Sequence, residues 1–214
     1  MAANEASPFR TSNPNATVPA WSYGWRGSAT GTALNLFPSS DHVGSYPGLD
    51  GFAHSALGGP YFYVNTSSAG IVLNNGPGPL APVPPGGIML DPSFSNQFTI
   101  ARWTAPAPGT YAFAATWSDI DPYGGNGISV DLVLNGTSIF NSLVSNGGGA
   151  TLGPAFDLVL ATGDLLDFVV GTNSDGTYDS TGFNATITAI PESSTSAILL
   201  ALGVLGFAVW RRAR

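Results

Sequence analysis

The chain has 214 residues and a formal net charge of −7, and only 9% of its residues are charged. All six basic residues are arginines and three of them fall in the last four positions, so the rest of the chain is acidic, which argues against nucleic acid as a partner. Cysteine is absent, which excludes disulfides, cysteine-ligated zinc and a thiol nucleophile.

The first half of the chain predicts short strands separated by turns. Residues 1–20 are polar and contain three prolines, which indicates an extended lead-in. The strand candidates that follow are residues 21–25, 33–37, 51–57, 60–64 and 70–73. Residues 74–87 are rich in proline and glycine and predict a long loop. We interpret it as a loop inside one domain, residues 21–190, because neither half alone has enough strands to close a sandwich.

From residue 97 onwards the alternation of apolar and polar residues is clearer. Tyr111, Phe113, Ala115 and Trp117 share one face of a predicted strand. Asn135-Gly136 is a favoured hairpin turn and leads into a return strand at residues 138–140. Further strands are predicted at residues 97–103, 128–134, 156–160, 166–170 and 183–189. No helical period occurs before residue 190, so the sequence predicts an all-β antiparallel sandwich.

Several turn motifs of this region resemble those of a bacterial extracellular jelly-roll module, over most of residues 20–190. They are Val83-Pro-Pro-Gly, Arg102-Trp-Thr-Ala-Pro, Pro108-Gly-Thr-Tyr111, Gly125-Asn-Gly, Leu134-Asn-Gly136, Gly163-Asp164 and Tyr178-Asp-Ser-Thr-Gly-Phe183. The resemblance implies a jelly-roll-like sandwich, similar in outline to carbohydrate-binding modules, and it carries over no ligand residues.

Two polar loops supply candidate metal ligands. Asp119 and Asp121 lie two apart in the first loop, and Asp175 and Asp179 lie in the second. Carboxylate oxygens on flexible loops suit Ca²⁺, which takes about six to eight oxygen ligands. If the loops meet at one end of the sandwich, the four carboxylates would converge on one calcium ion. The alternative is that these aspartates cap turns.

Five aromatic residues are candidates for stacking against sugar rings, since aromatic faces suit that role. They are Trp21, Trp25, Tyr61, Tyr63 and Tyr123. The alternative for each is packing in the core.

Enzymatic chemistry has little support. Asp119 and Asp121 resemble the carboxylate pair of a glycoside hydrolase, but such pairs are common in glycine-rich turns. There is no Gly-x-Ser-x-Gly nucleophile motif, and two histidines, His42 and His54, without a third ligand do not predict catalytic zinc. We therefore predict no enzyme activity and no catalytic residues.

The C-terminal segment is uncharged from Ser193 to Trp210 and ends in Arg211, Arg212 and Arg214. A helix of that length spans about 27 Å, close to the roughly 30 Å of a bilayer core. We therefore predict a transmembrane helix at about residues 194–210. The arginines would act as a stop-transfer signal on the cytoplasmic side, with the body outside.

Pro191-Glu192, a short run of small residues, the apolar helix and the terminal arginines together resemble the PEP-CTERM sorting signal of Gram-negative bacteria. Ser193 stands where the common form has a second proline. The resemblance covers residues 191–214 and implies an exosortase as partner, retention at the inner membrane, and cell-surface or extracellular localisation after processing. It also implies a link to extracellular polysaccharide.

The sequence thus predicts a non-enzymatic exported surface or matrix protein associated with exopolysaccharide. The alternatives are a carbohydrate-binding module with structural calcium and a degenerate glycoside hydrolase domain. Residues 1–8 do not have the pattern of a signal peptide, so we expect the natural start of an exported form to lie upstream.

Overall fold

The computed structural model describes residues 3–4, 20–37, 48–54, 59–75, 78–79, 81–93, 97–121 and 123–191. These residues form two antiparallel β-sheets that pack face to face as a sandwich. Their strands are β1 (Ala3–Asn4), β2 (Trp21–Arg26), β3 (Asn35–Leu36), β4 (Leu49–Ala53), β5 (Tyr61–Asn65), β6 (Asn74–Asn75), β7 (Gly78–Pro79), β8 (Ile88–Asp91), β9 (Phe98–Thr104), β10 (Gly109–Asp119), β11 (Ile128–Leu134), β12 (Thr137–Val144), β13 (Gly149–Leu160), β14 (Leu165–Thr172) and β15 (Thr181–Ile190).

The two sheets are interleaved along the chain. The first has the strand order β13-β10-β15-β8-β5-β4, and β1 pairs with β15 beside this path. The second has the order β12-β11-β14-β9-β2-β3, and β6 and β7 form a separate ribbon. From β8 to β15 every connection crosses between the sheets except the β11–β12 hairpin. Neither sheet is therefore built from one continuous stretch of chain.

The main core lies between the sheets and is rich in aromatic side chains. Tyr111, Phe113, Ala115 and Trp117 of β10 all belong to it, as their alternation predicts. The Trp117 side chain is fully buried, and its ring centroid lies 6.3 Å from that of Phe168 in the opposite sheet. Contacts of this kind join the two sheets across the sandwich.

The first sheet carries a small apolar cluster on its outer face. Met89 lies between the core-facing residues Ile88 and Leu90, so its side chain points away from the main core. Leu73, just before the predicted long loop, and Val83, within that loop, pack on it there. The segment around Val83 therefore covers this part of the outer face.

The second sheet has a buried ion cluster on its outer face. Asp167 lies between the core-facing Leu166 and Phe168 and is 1% exposed. The Nη1 atom of Arg26 donates to its Oδ2 at 2.5 Å, and the Nε atom of Arg102 donates to its Oδ1 at 2.6 Å. Arg26 also donates to three carbonyl groups of the segment after β2, which ties that segment to the sheet.

The structure confirms the predicted all-β antiparallel sandwich and its strands after residue 97. Two predicted strands were wrong in extent: residues 70–73 contain only an isolated bridge between Ile71 and Val83, and of residues 33–37 only β3 is a strand. Strand β8 was missed, because its apolar run is buried on both sides of the sheet and shows no alternation.

The predicted transmembrane helix, Glu192 and the three terminal arginines lie outside the described residues. Within the part that the structure describes, no helix has the length and apolar character needed to cross a membrane. The jelly-roll connectivity stays a prediction from the resemblance.

Candidate functional site

The two polar loops identified in the sequence meet at one end of the sandwich. The N–H of Ile120, just after β10, donates to the carbonyl of Ser180, just before β15, at 2.9 Å. Asn126 and Asn173 donate side-chain hydrogen bonds to each other's carbonyl groups. We call this the loop end of the sandwich, formed by the β10–β11 and β14–β15 connections.

Asp119 is the last residue of β10 and is 4% exposed. Its Oδ1 accepts the backbone N–H of Asp121 at 2.9 Å, which is the turn-capping contact expected of such an aspartate. Its Oδ2 is buried and has no hydrogen-bond partner among the described protein groups. Asp121 itself is fully buried. The first predicted pair therefore lies inside the loop end rather than on its surface.

Of the second predicted pair, Asp175 lies at the surface and Asp179 is buried. Asp175 is exposed, and its Oδ1 accepts both the N–H and the hydroxyl of Thr177, at 2.8 and 2.9 Å. Asp179 is 2% exposed, and neither of its carboxylate oxygens has a hydrogen-bond partner among the described groups. Asp175 thus has a capping role, and Asp179 has no structural role that its contacts explain.

A fifth carboxylate, Asp91, was missed by the sequence reasoning. It ends β8, which pairs with β15 beside the loop end, and its Oδ2 accepts the hydroxyl of Ser180 at 3.1 Å. The available signal was a single aspartate closing the apolar run of residues 88–90. We call Asp91, Asp119, Asp121, Asp175 and Asp179 the carboxylate cluster.

Burial raises the pKa values of three members of the cluster. Burial, and to a smaller extent the negative charges of Asp175, Asp91, Asp119 and Asp121 in that order, together raise the pKa of Asp179 to about 8. Burial also raises the pKa of Asp91 to about 7 and that of Asp119 to about 6. The Ser180 hydroxyl lowers the first pKa, the backbone N–H groups of Asp121 and Gly147 lower the second, and the Asp121 charge raises both. The negative charges of the other four members of the cluster therefore disfavour ionisation of Asp179.

Among the residues that the structure describes, no ion pair joins an arginine to Asp119 or Asp179. The arginines there are Arg26 and Arg102, and both are engaged with Asp167 in the second sheet. His54 is packed edge-on against Trp25, with ring centroids 5.0 Å apart. Among the described residues, no three acidic or histidine side chains are already arranged to hold a metal ion. The carboxylate side chains would have to turn towards one another to do so.

The five aromatic candidates do not form one platform. Trp21 is 4% exposed and stacks on Phe168 in the core, so its face is not available to a ligand. Trp25 is half-buried in the second sheet. Tyr61 and Tyr63 are half-buried in the first sheet and stack on each other, with ring centroids 5.6 Å apart. Tyr123, in the loop end, is 43% exposed.

A groove of about 370 Å³ lies on the outer face of the first sheet near the loop end. Thr116, Ser118 and Asn184 form part of its lining, and all three side chains are exposed. The proline-rich segment 82–87 lines the groove as well. The groove thus combines neutral hydrogen-bonding groups with apolar proline rings.

Neither the scan against protein-family models nor the search of curated proteins gives a match for this chain. Solved structures with a similar fold include the CBM51 from Clostridium perfringens GH95 in complex with methyl-galactose, at 16% identity, covering 56% of this chain and 80% of that one, with a TM-score of 0.37. A family 35 carbohydrate binding module from Clostridium thermocellum is 12% identical, covering 56% of this chain and 88% of that one, with a TM-score of 0.32.

Rabbit GITRL is also similar, at 14% identity, covering 61% of this chain and 85% of that one, with a TM-score of 0.31. At these identities and TM-scores the similarities do not indicate what this chain binds. Carbohydrate-binding modules are among its structural neighbours, and so is a protein of another kind.

Proposed function

We propose that this chain is a non-enzymatic exported protein whose sandwich is displayed outside the cell. Its C-terminal segment would hold it at the inner membrane, and an exosortase would process it at Pro191-Glu192 for the cell surface or the matrix, in association with extracellular polysaccharide. The support from the sequence is the arrangement of dipeptide, apolar run and terminal arginines in residues 191–214.

The observation that carries the proposal is the direction of the last strand. β15 begins at Thr181, beside the loop end, and finishes at the exposed Ile190, immediately before the sorting segment. Ten residues of strand span about 33 Å. The carboxylate cluster and the point where the tail leaves the sandwich are therefore at opposite ends of the domain. A tail in the membrane would direct the loop end away from the bilayer.

The test is fractionation of cells that produce the full chain with its upstream export signal. We expect wild-type protein in the inner membrane and, after processing, at the surface. Replacing Arg211, Arg212 and Arg214 with glutamine removes the stop-transfer charges, so we expect retention at the inner membrane to be lost. The control is Asp157→Asn, an exposed change on β13. Unchanged fractionation of the triple variant would contradict the sorting role.

A second candidate function is polysaccharide binding at the outer-face groove. Its neutral hydroxyl and amide groups match the hydrogen-bonding character of neutral sugars, and a concave site with a few polar groups is the usual form of a binding pocket. By contrast, Asp119 and Asp121 are buried and do not face an open cleft, so the geometry favours binding over glycoside hydrolysis.

Pull-down of the full chain with insoluble polysaccharide tests this candidate. We expect Asn184→Ala and Thr116→Ala to reduce the retained fraction, whereas Thr137→Ala, an exposed change on β12 of the other sheet, leaves it unchanged. Equal retention of all the variants would exclude the groove as the site, and no retention of the wild-type protein would exclude polysaccharide binding under those conditions.

A further inference from the structure

We propose that the loop end of the sandwich binds one Ca²⁺ ion, with Asp119 and Asp179 as its central ligands and the rest of the carboxylate cluster, including Asp91, around them. This inference concerns the sandwich itself and does not depend on how the chain is exported.

The first ground is the state of two buried carboxylates. Asp179 is 2% exposed with both oxygens lacking a hydrogen-bond partner, and the same is true of Oδ2 of Asp119, which is 4% exposed. Buried polar atoms in native proteins are nearly always hydrogen-bonded, and leaving a charged one unpaired costs more than leaving a neutral one. Three buried carboxylate oxygens on two side chains therefore call for a ligand that neutralises them.

The second ground is the charge around these oxygens. The groups whose charges act on Asp179 are four further carboxylates from β8, the end of β10 and the two loops. The arginines of the described part are both bound to Asp167. Removing water from like charges without a counter-charge is unfavourable, and buried charges in proteins are paired or coordinate metals. A cation beside Asp119 and Asp179 supplies a partner for their three buried oxygens.

The chemistry of the ligands favours calcium. All the candidate side chains are carboxylates, and hard oxygen ligands suit Ca²⁺ and Mg²⁺ rather than zinc or copper. The ligands come from a strand end, β8 and two glycine-rich loops, which gives an irregular shell instead of a regular octahedron. Ca²⁺ accepts such shells, whereas Mg²⁺ requires near-octahedral geometry.

The side chains have to rotate on binding, because no three of the described acidic or histidine groups are already arranged around a common point. That rotation reduces the net binding energy. We therefore expect an affinity in the weak range of extracellular calcium modules, with a dissociation constant of about 10⁻⁴ to 10⁻³ M.

The experiment is thermal unfolding of the full chain in detergent micelles, in EDTA and in CaCl₂, together with calcium binding measured by calorimetry. At a calcium concentration of about 5 mM we expect Tm to rise by about 5 °C over EDTA, from mass-action stabilisation of the folded state. The same concentration of MgCl₂ should give a clearly smaller shift.

The variants separate ligation from general stability. Asp179→Asn and Asp119→Asn should each lose most of the calcium shift. In EDTA, Asp179→Asn should fold with a Tm equal to or above that of the wild type, because it removes an uncompensated buried charge. Asp157→Asn, on the exposed edge of β13, should keep the full shift. Absence of calcium binding by the wild type, an equal shift with magnesium, or a full calcium shift in Asp179→Asn would each overturn the proposal.

Discussion

At the scale of single residues, two buried aspartates, Asp167 and Asp179, lie in opposite electrostatic environments. Asp167 is buried beneath two arginines whose Nη1 and Nε atoms lie 2.5 and 2.6 Å from its oxygens, so its charge is fully compensated. Asp179 is buried to a similar degree among carboxylates, and burial holds its pKa at about 8. Asp167 therefore stabilises the fold without a metal ion, whereas Asp179 favours the folded state only when it is protonated or bound to a cation.

We predict that Asp167→Ala lowers the free energy of unfolding by about 3–5 kcal/mol, because it leaves the Arg26 and Arg102 charges buried without their partner. Urea unfolding followed by tryptophan fluorescence measures the change. Asp157→Asn, an exposed control, should stay within about 0.5 kcal/mol of the wild type. A loss below about 1 kcal/mol for Asp167→Ala would show that the ion cluster is not needed for stability.

At the scale of the strands, close backbone approach is as important as side-chain packing. Gly51 of β4 lies against β5, and a Cβ atom built on it would be 2.0 Å from the carbonyl oxygen of Phe62 and 2.6 Å from the Tyr63 ring. A side chain at this position would push β4 away from β5, which is the edge pairing of the first sheet.

We predict that Gly51→Ala destabilises the protein by about 1–3 kcal/mol through overpacking, measured by chemical denaturation. Gly153 of β13 is the matched control, since a Cβ atom there meets nothing within 4 Å. Gly153→Ala should change stability by less than about 0.5 kcal/mol. Equal effects of the two substitutions would contradict the close approach of β4 and β5.

At the scale of the whole molecule, β15 connects the loop end of the sandwich to the C-terminal sorting segment. It is paired with β10 on one side and with β8 on the other, so it lies inside the first sheet and its direction is held by both neighbours. The loop end lies at its start, and the sorting segment follows its end. Under the proposed function, the carboxylate cluster is displayed away from the membrane, where extracellular calcium is available.

Single-cysteine labelling of the full chain in lipid vesicles tests this orientation, since the chain has no cysteine of its own. Tyr123→Cys places a fluorophore at the loop end, and Thr162→Cys places one in the exposed turn between β13 and β14, near the end of β15. We expect a quencher confined to the bilayer surface to quench the label at position 162 more strongly. Stronger quenching at position 123 would show that the sandwich lies the other way round.

The sequence by itself determined the fold class and most strands after residue 97, because alternation with a period of two appears wherever one face of a strand is buried and the other is not. It failed for β8, where Met89 is covered on the outer face as well as its neighbours on the inner one. Alternation disappears when both faces are buried, so local pattern could not place that strand.

Only the tertiary structure decided the composition of the candidate site. Four of its aspartates stand out in the sequence as loop residues, but Asp91 joins them because β8 pairs with β15 some 90 positions further along the chain. Tertiary structure also decided which residues are buried. Trp21 lies in the core, and Asp179 is almost completely shielded from water. Long-range strand pairing sets both properties, and the order of residues along one segment does not encode which distant segment will cover it.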